Sequence, residues 1–247
     1  MGRPDLSPET IRRRLKSVGQ LKCRTAAKKP WLSRGNRLKR LVWARAHVNW
    51  THHQWRKVLW SDESKFVIRY HASRKVWRLK GQRFNPKNTL KTVKHDKKVM
   101  VWGCFAYGGV GNLYRIQGIM MKEDYHHILS RHMVPSARAL FPRNNFLFQQ
   151  DNDPKHTAML NKAYLVNKGI QVLPWPAQSP DLNPIENLWN ELDRRLKNRV
   201  CNSEDELFEV LKEGWEALPQ EYLEKLVDSM QNRCRAVILA RGNGTKY

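Results

Sequence analysis

The sequence predicts an α/β fold in which helices flank a mixed β-sheet. Three observations predict it. Segments rich in β-branched and aromatic residues come early, strand and helix patterns then alternate, and residues 184–240 repeat with helical period. That order suits a mixed sheet with helices packed on it. A chain of 247 residues with 40% hydrophobic residues and ten tryptophans has the material for a sizeable core. No internal repeat or long low-complexity segment interrupts it.

The elements follow in order. SPETIRRRLKSV, residues 7–18, reads as a short basic helix: Ser7 caps it, Pro8 sits in the first turn, and Ile11, Leu15 and Val18 recur at i, i+4, i+7. Residues 19–36 are basic and broken by Gly19, Pro30 and Gly35, as in a linker. A second basic helix over 36–50 places Leu38, Leu41, Val42 and Ala46 on one side. RKVLWSDESKFVIRY, RKVWRLKG and KKVMVWGCFAY read as strands; Gly108-Gly109 begins a turn, and VGNLYRIQG reads as another strand. MKEDYHHILSRHMVPSARALF is helical, with an interruption or kink at Pro135. NFLFQQ is a buried-type strand ending at Asp151, HTAMLNKAYLVNKG a helix stopped by Gly169, and IQVLPWP a strand. Helices over 184–199, 203–217 and 219–240 complete the chain.

The net charge is +24, and the first 100 residues hold 28 Lys+Arg against 5 Asp+Glu. Such an excess draws binding energy from phosphate neutralisation and counterion release, which points to a nucleic acid. The four cysteines lack C-x-x-C or finger spacing and read as reduced structural thiols. No apolar run approaches the roughly 18 residues of a membrane span. The Gly108–Gly111 stretch lacks the lysine-serine/threonine pair of a nucleotide-binding loop.

Against that charge three acids stand out: Asp62 in VLWSDESKF, Asp151 in FLFQQDNDPKH and Glu186 in SPDLNPIENLW. Carboxylates at strand and helix ends suit hard divalent ions, which take oxygen ligands and serve phosphoryl transfer. Each also has a bland alternative. Asp62 can fix a strand through hydrogen bonds, and Asp151 and Asp153 can shape a turn before Pro154. Glu186 fits a capping box with Asn183 as N-cap and Pro184 in the first turn. Glu63 neighbours Asp62, but strand alternation points it to the other face.

VLWSDESKF, KVMVWGCF, FQQDNDPKHTA and WPAQSPDLNPIENLWNEL resemble, in that order, the catalytic core of mariner-superfamily transposases, and among them the Tc-one-like branch. The resemblance runs over residues 7–240. In that branch 34 residues separate the second and third acids; 34 lie between Asp151 and Glu186, which selects Asp151 over Asp153. The resemblance implies an RNase H-like fold, a catalytic and metal-binding triad of Asp62, Asp151 and Glu186, and Mg2+ as cofactor, with Mn2+ as a substitute and two ions in the site. It implies cut-and-paste DNA transposition, with the freed 3′-hydroxyl joined to target DNA, typically at TA. DNA is the partner, with a homodimer in the synaptic complex and no membrane, and the nucleus is the expected compartment. His156 is a second-tier candidate beside the metal, set against a capping or core histidine. Lys155 is a backbone contact or a solvated lysine. Asn152, Asn183 and Asn187 read as structural.

For DNA contacts the resemblance makes residues 1–20 the end of a second helix-turn-helix, with Arg12, Arg13, Arg14 and Lys16 facing DNA. Gly2-Arg3-Pro4 resembles a minor-groove arm. Residues 21–55 form a basic linker and helix in which Lys28, Lys29, Arg34, Arg37, Lys39 and Arg40 contact the backbone. Residues 56–240 form the catalytic domain and 241–247 a tail. Full members carry two helix-turn-helix units before the core. The competing reading is a catalytically idle, transposon-derived DNA-binding protein; a third is an RNase H-like nuclease without strand transfer.

Overall fold

The computed structural model describes residues 7–18, 31–68, 79, 81–82, 85, 97–196 and 199–247. The chain divides into two compact units, Met1–Trp31 and Leu32–Tyr247. The first holds α1 (Pro8–Ser17). Its Ser7 side chain accepts from the Thr10 amide and Pro8 opens the first turn. None of its residues is buried, and Ile11 and Leu15 stay half exposed. Most of the expected strand RKVWRLKG, with Gly2-Arg3-Pro4, Cys23, Lys28 and Lys29, lies outside the described residues; Leu79 and Gly81 are described, and neither is in a strand.

Among the described residues, the second unit is built on a five-stranded sheet in the order β3-β2-β1-β4-β5. β1 (Val58–Val67), β2 (Lys98–Ala106) and β3 (Gly109–Ile116) run antiparallel, while β4 (Leu147–Phe148) and β5 (Gln171–Val172) continue parallel to β1. Alternation along β1 divides its side chains between two cores. Val58, Trp60, Phe66 and Ile68 join one beneath the C-terminal helices; Leu59 joins the other with Trp102, Tyr125, Ile128 and Phe148. The first face is covered by α2 (Arg34–His47), α3 (His52–Trp55), α7 (Ile185–Leu196), α8 (Glu204–Glu216), α9 (Gln220–Asp228) and α10 (Met230–Leu239). The second is covered by α4 (Lys122–Ile128), α5 (Val134–Leu140) and α6 (Met159–Asn167).

The interruption expected at Pro135 is present: a π-turn over Leu129–Met133, with the Val134 amide on the Leu129 carbonyl, divides α4 from α5 and puts Pro135 in the first turn of α5. Two departures from the sequence reading have local causes. The helix expected over 219–240 divides at Ser229, whose hydroxyl donates to the Leu226 carbonyl (2.6 Å) and accepts from Arg233 Nε (2.9 Å). The expected apolar side of α2 faces outward. Leu38 and Val42 are exposed, and Arg40, Trp43 and Ala44 are buried instead.

One close approach positions α7. A Cβ at Gly103, paired with Asp62 across the sheet, would lie 2.7 Å from the Trp189 ring, which is itself stacked on Trp215. Glu186 is one helical turn before Trp189. Gly103→Ala is therefore expected to cost about 1–3 kcal/mol, as overpacking does. It should also shift α7 away from β1. Urea unfolding and catalytic activity measured together will check both effects.

Candidate active site: a carboxylate pocket at the end of the central strands

Asp62, Asp151 and Glu186 line one pocket of about 360 Å3, together with Asn152, Asp153, Asn183 and residues 175–180. Asp62 comes from the middle of β1, Asp151 from just beyond β4, and Glu186 from the first turn of α7. Among the described residues, four carboxylates and no Lys or Arg line this space, in a chain of net charge +24. Glu63 does not line it, as alternation along β1 requires.

Neutral side chains stitch the three supports together. Ser61 Oγ donates to the Gln149 carbonyl (2.8 Å), and the Ser61 amide donates to Gln149 Oε1 (3.2 Å), tying β1 to the end of β4. Asn183 Nδ2 donates to the Ser61 carbonyl (3.2 Å), fastening the entrance of α7 beside Asp62. Asn152 Nδ2 donates to the Trp175 carbonyl (2.8 Å). The Asn183 amide is bonded to the Pro180 carbonyl (3.0 Å), so the reciprocal bond of a capping box with Glu186 is not made. The Glu186 carboxyl lines the pocket instead.

Burial, then the charges of Glu63, Glu186 and Asp151, push the Asp62 carboxyl well above the ordinary range; the Glu63 amide (2.8 Å) offsets only part. Burial raises Glu186 as well. Asp151 goes the other way. Burial pushes it up, but hydrogen bonds from His156 and the Asp153 amide, with the charges of His156 and Lys155, outweigh that and hold it low. His156 is pulled down by burial, yet bonds to Asp151 and Glu63 carry it up to about 9.

Asp153 takes the turn role. Its Oδ1 accepts from the Lys155 amide (3.0 Å) and its other oxygen pairs with the Lys155 ammonium, so Lys155 is an ion-paired lysine rather than a solvated one. His156, a second-tier candidate set against a capping or core histidine, is buried between two carboxylates. Glu63 is a participant that the alternation argument set aside. The five-residue spacing of Asp151 and His156 was the available signal.

The expected DNA-contact residues separate. Arg13, Arg14 and Lys16 on α1 and Lys39 on α2 are exposed, and Arg12 is exposed but paired with Glu9 (2.6 Å). Arg37 is half-buried. Arg40 is wholly buried in a bidentate pair with Asp181 (2.7 and 2.8 Å) and cannot reach a phosphate; this expectation is corrected.

A mixed sheet of this order flanked by helices, with acids converging from β1, β4 and α7, has the RNase H-like arrangement. A family model described as "DDE superfamily endonuclease" matches residues 57–208, and one described as "Transposase" matches residues 4–49. The chain is 45% identical over 247 residues to the transposable element Tc1 transposase of Caenorhabditis elegans, covering 99% of this chain and 89% of that one. Among solved structures it matches the Mos1 transposase paired-end complex with left transposon end at TM-score 0.84, with 19% identity over 98% of this chain and 73% of that one. The Mos1 mariner paired end complex with Mn matches at 0.84 with 18% identity over the same shares. The chain belongs to the Tc1/mariner family of DNA transposases.

Among the described residues no three His, Cys, Asp or Glu side chains already close around a single ion position. The donor set nonetheless fits hard divalent cations: among the described residues it offers four carboxylates, two of them raised by burial, and no ammonium or guanidinium lines the pocket. No described helix is long and apolar enough to cross a membrane.

Proposed function

We propose that Asp62, Asp151 and Glu186 hold divalent cations, Mg2+ with Mn2+ as substitute and two ions in number, for cleavage at transposon ends and joining of the 3′-hydroxyl to target DNA. The observation that carries this reading is the convergence of the three acids on one pocket that no Lys or Arg among the described residues lines. Cations bound there supply Lewis-acid polarisation of the scissile phosphate and activation of the attacking oxygen. The protein supplies placement. Asn183 and Gln149 lock the α7 entrance and the β4 end to Ser61, so the three carboxylates keep their spacing while DNA enters. Their joint negative charge repels a bare phosphodiester, so cleavage without divalent ions is disfavoured.

The exposed cations of α1 and Lys39 supply backbone contacts, and a homodimer pairs the two ends. TA is the target dinucleotide and the nucleus the compartment. The test uses duplexes of the inverted repeats that flank the coding DNA, incubated with the chain and Mg2+ or Mn2+. Nicking followed by strand joining is expected, with Asp62→Ala, Asp151→Ala and Glu186→Ala each reducing it at least 1,000-fold while salt-sensitive DNA binding persists. DNA binding without metal-dependent scission in the unmodified chain establishes the idle DNA-binding reading instead. Scission without joining establishes a nuclease.

A further inference from the structure

Behind the pocket wall lies an arrangement that the triad does not account for. Glu63 projects from the face of β1 opposite Asp62 and is 12% exposed. His156, 3% exposed, lies between it and Asp151, with Nε2 3.1 Å from Glu63 Oε1 and Nδ1 2.6 Å from Asp151 Oδ1. The imidazole packs on the Tyr125 ring at 3.9 Å between centroids, and the Tyr125 hydroxyl donates to Gln150 Oε1 (2.7 Å), next to Asp151 in the chain. Asn161 Nδ2 donates to the carbonyls of Lys155 (2.8 Å) and Lys122 (2.9 Å), pinning the turn that carries His156.

Asp151 Oδ1 also accepts the Asp153 amide (2.9 Å). Two donors therefore engage Oδ1, and no hydrogen bond among the described residues engages Oδ2. A carboxylate free to turn about its Cβ–Cγ bond would offer either oxygen, or both, to a cation. This one is held at Oδ1, and Glu63 and Tyr125 hold the imidazole that holds it. A histidine serving only to fill the core would not require a carboxylate on each ring nitrogen, one of them the largely buried Glu63, a costly choice at a strand end.

We propose that His156 is a positioning residue, oriented by Glu63, that reserves Oδ2 of Asp151 for the metal. The proposal rests on the reading of Asp151 as a metal ligand. Glu63 acts only through His156, and its removal matters only while an imidazole is present. Groups that orient metal-ligating side chains typically cost 10–100-fold in affinity or activity when removed.

The test is Mn2+ binding to the metal-free, DNA-free chain, followed by the electron paramagnetic resonance signal of free Mn2+, with thermal unfolding in EDTA alongside. His156→Ala and Glu63→Gln are each expected to weaken binding about tenfold or more, and the double variant no more than His156→Ala alone. An asparagine amide nitrogen overlays Nδ1 of histidine, so His156→Asn should keep binding within about threefold of the unmodified chain, and Glu63→Gln should then add nothing. A glutamine amide mimics Nε2 instead, so His156→Gln should not rescue. A merely structural role ranks these variants by unfolding temperature, and that ranking for Mn2+ affinity overturns the proposal. So does unchanged binding in Glu63→Gln and His156→Ala while Asp151→Ala abolishes it. Intact Mn2+ binding in Asp151→Ala overturns the triad reading itself, and this proposal with it.

Discussion

Asp62→Asn is expected to abolish metal-dependent scission and, at the same time, to raise the unfolding temperature of the metal-free chain. The two effects share one cause. The Asp62 carboxyl is desolvated on β1 and repelled by Glu63, Glu186 and Asp151, so its folded-state pKa lies well above the ordinary value. A carboxyl whose pKa rises on folding binds more protons in the native state than in the unfolded chain across that interval. Stability therefore falls as pH rises through it, and the penalty is fully present only above the folded-state pKa. Asparagine removes the charge and keeps the shape and an oxygen to accept the Glu63 amide. The gain should be a few degrees for a domain of this size, and largest above that raised pKa. As the pH falls through the raised pKa, the aspartate form protonates and the difference between the two proteins should narrow. Saturating Mg2+ or Mn2+ should reverse the order, because cation binding stabilises only the chain that retains the ligand. Calorimetry of both proteins from pH 4 to 8, in EDTA and in Mn2+, checks each sign. An asparagine variant less stable than the parent in EDTA at pH 7 would mean that the pocket stores no electrostatic strain. The same sign is expected at Glu186, whose carboxyl is raised by burial.

Much of this architecture was legible because local signals agreed with the tertiary ones. β-Branched and aromatic residues marked β1 and β2, the Ser7 and Pro8 pair marked the start of α1, and period-two alternation separated Asp62 from Glu63. What stayed illegible depended on partners distant in sequence. The apolar positions of α2 gave a credible stripe through Leu38 and Val42. Its buried side is instead set by Arg40 meeting Asp181, 141 residues away, and by Trp43 Nε1 on the Pro174 carbonyl (2.6 Å). A positive charge in a basic helix carries no mark of whether it meets a phosphate or a buried carboxylate. Glu186 shows the reverse difficulty. Its surround fits a capping box, and only the bonds from Asn183 to Ser61 and Pro180 reveal that the carboxyl is left for the pocket. Alternation put Glu63 on its proper face, but said nothing of His156 arriving there from beyond β4.

Arg40→Ala should be the most destabilising of these substitutions and should silence the active site without touching it. The guanidinium uses every nitrogen. Nη1 and Nη2 grip Asp181, Nε donates to the Gly242 carbonyl (2.9 Å), and further bonds reach the Gln178 (3.1 Å) and Asn243 (3.3 Å) carbonyls. Asp181 Oδ2 also accepts the amide and hydroxyl of Thr245, both at 2.9 Å. Burial pushes the Asp181 carboxyl up, but these donors and the Arg40 charge hold it below the ordinary range. Residues 242–245 thus close over a buried pair at the foot of the loop that lines the pocket from Gln178 to Glu186. Gly242 adopts φ +81°, and a Cβ there would lie 2.1 Å from the Arg37 carbonyl oxygen, so no other residue fits the turn. Removing one partner of a buried pair strands the other, at a cost of about 3–5 kcal/mol. Arg40→Lys should recover little, since an ammonium cannot reproduce the fork. Deleting residues 242–247 strips two donors from Asp181 and two acceptors from Arg40, and should lower stability less than Arg40→Ala while still loosening the Glu186 loop. The contrasting reading, in which Arg40 is a phosphate contact, predicts unchanged stability and a salt dependence of DNA affinity shallower by about one counterion. Urea midpoints and salt titrations of DNA binding on the same three variants separate the two. A full-strength urea midpoint in Arg40→Ala, with a reduced salt slope, would return Arg40 to the DNA-binding surface.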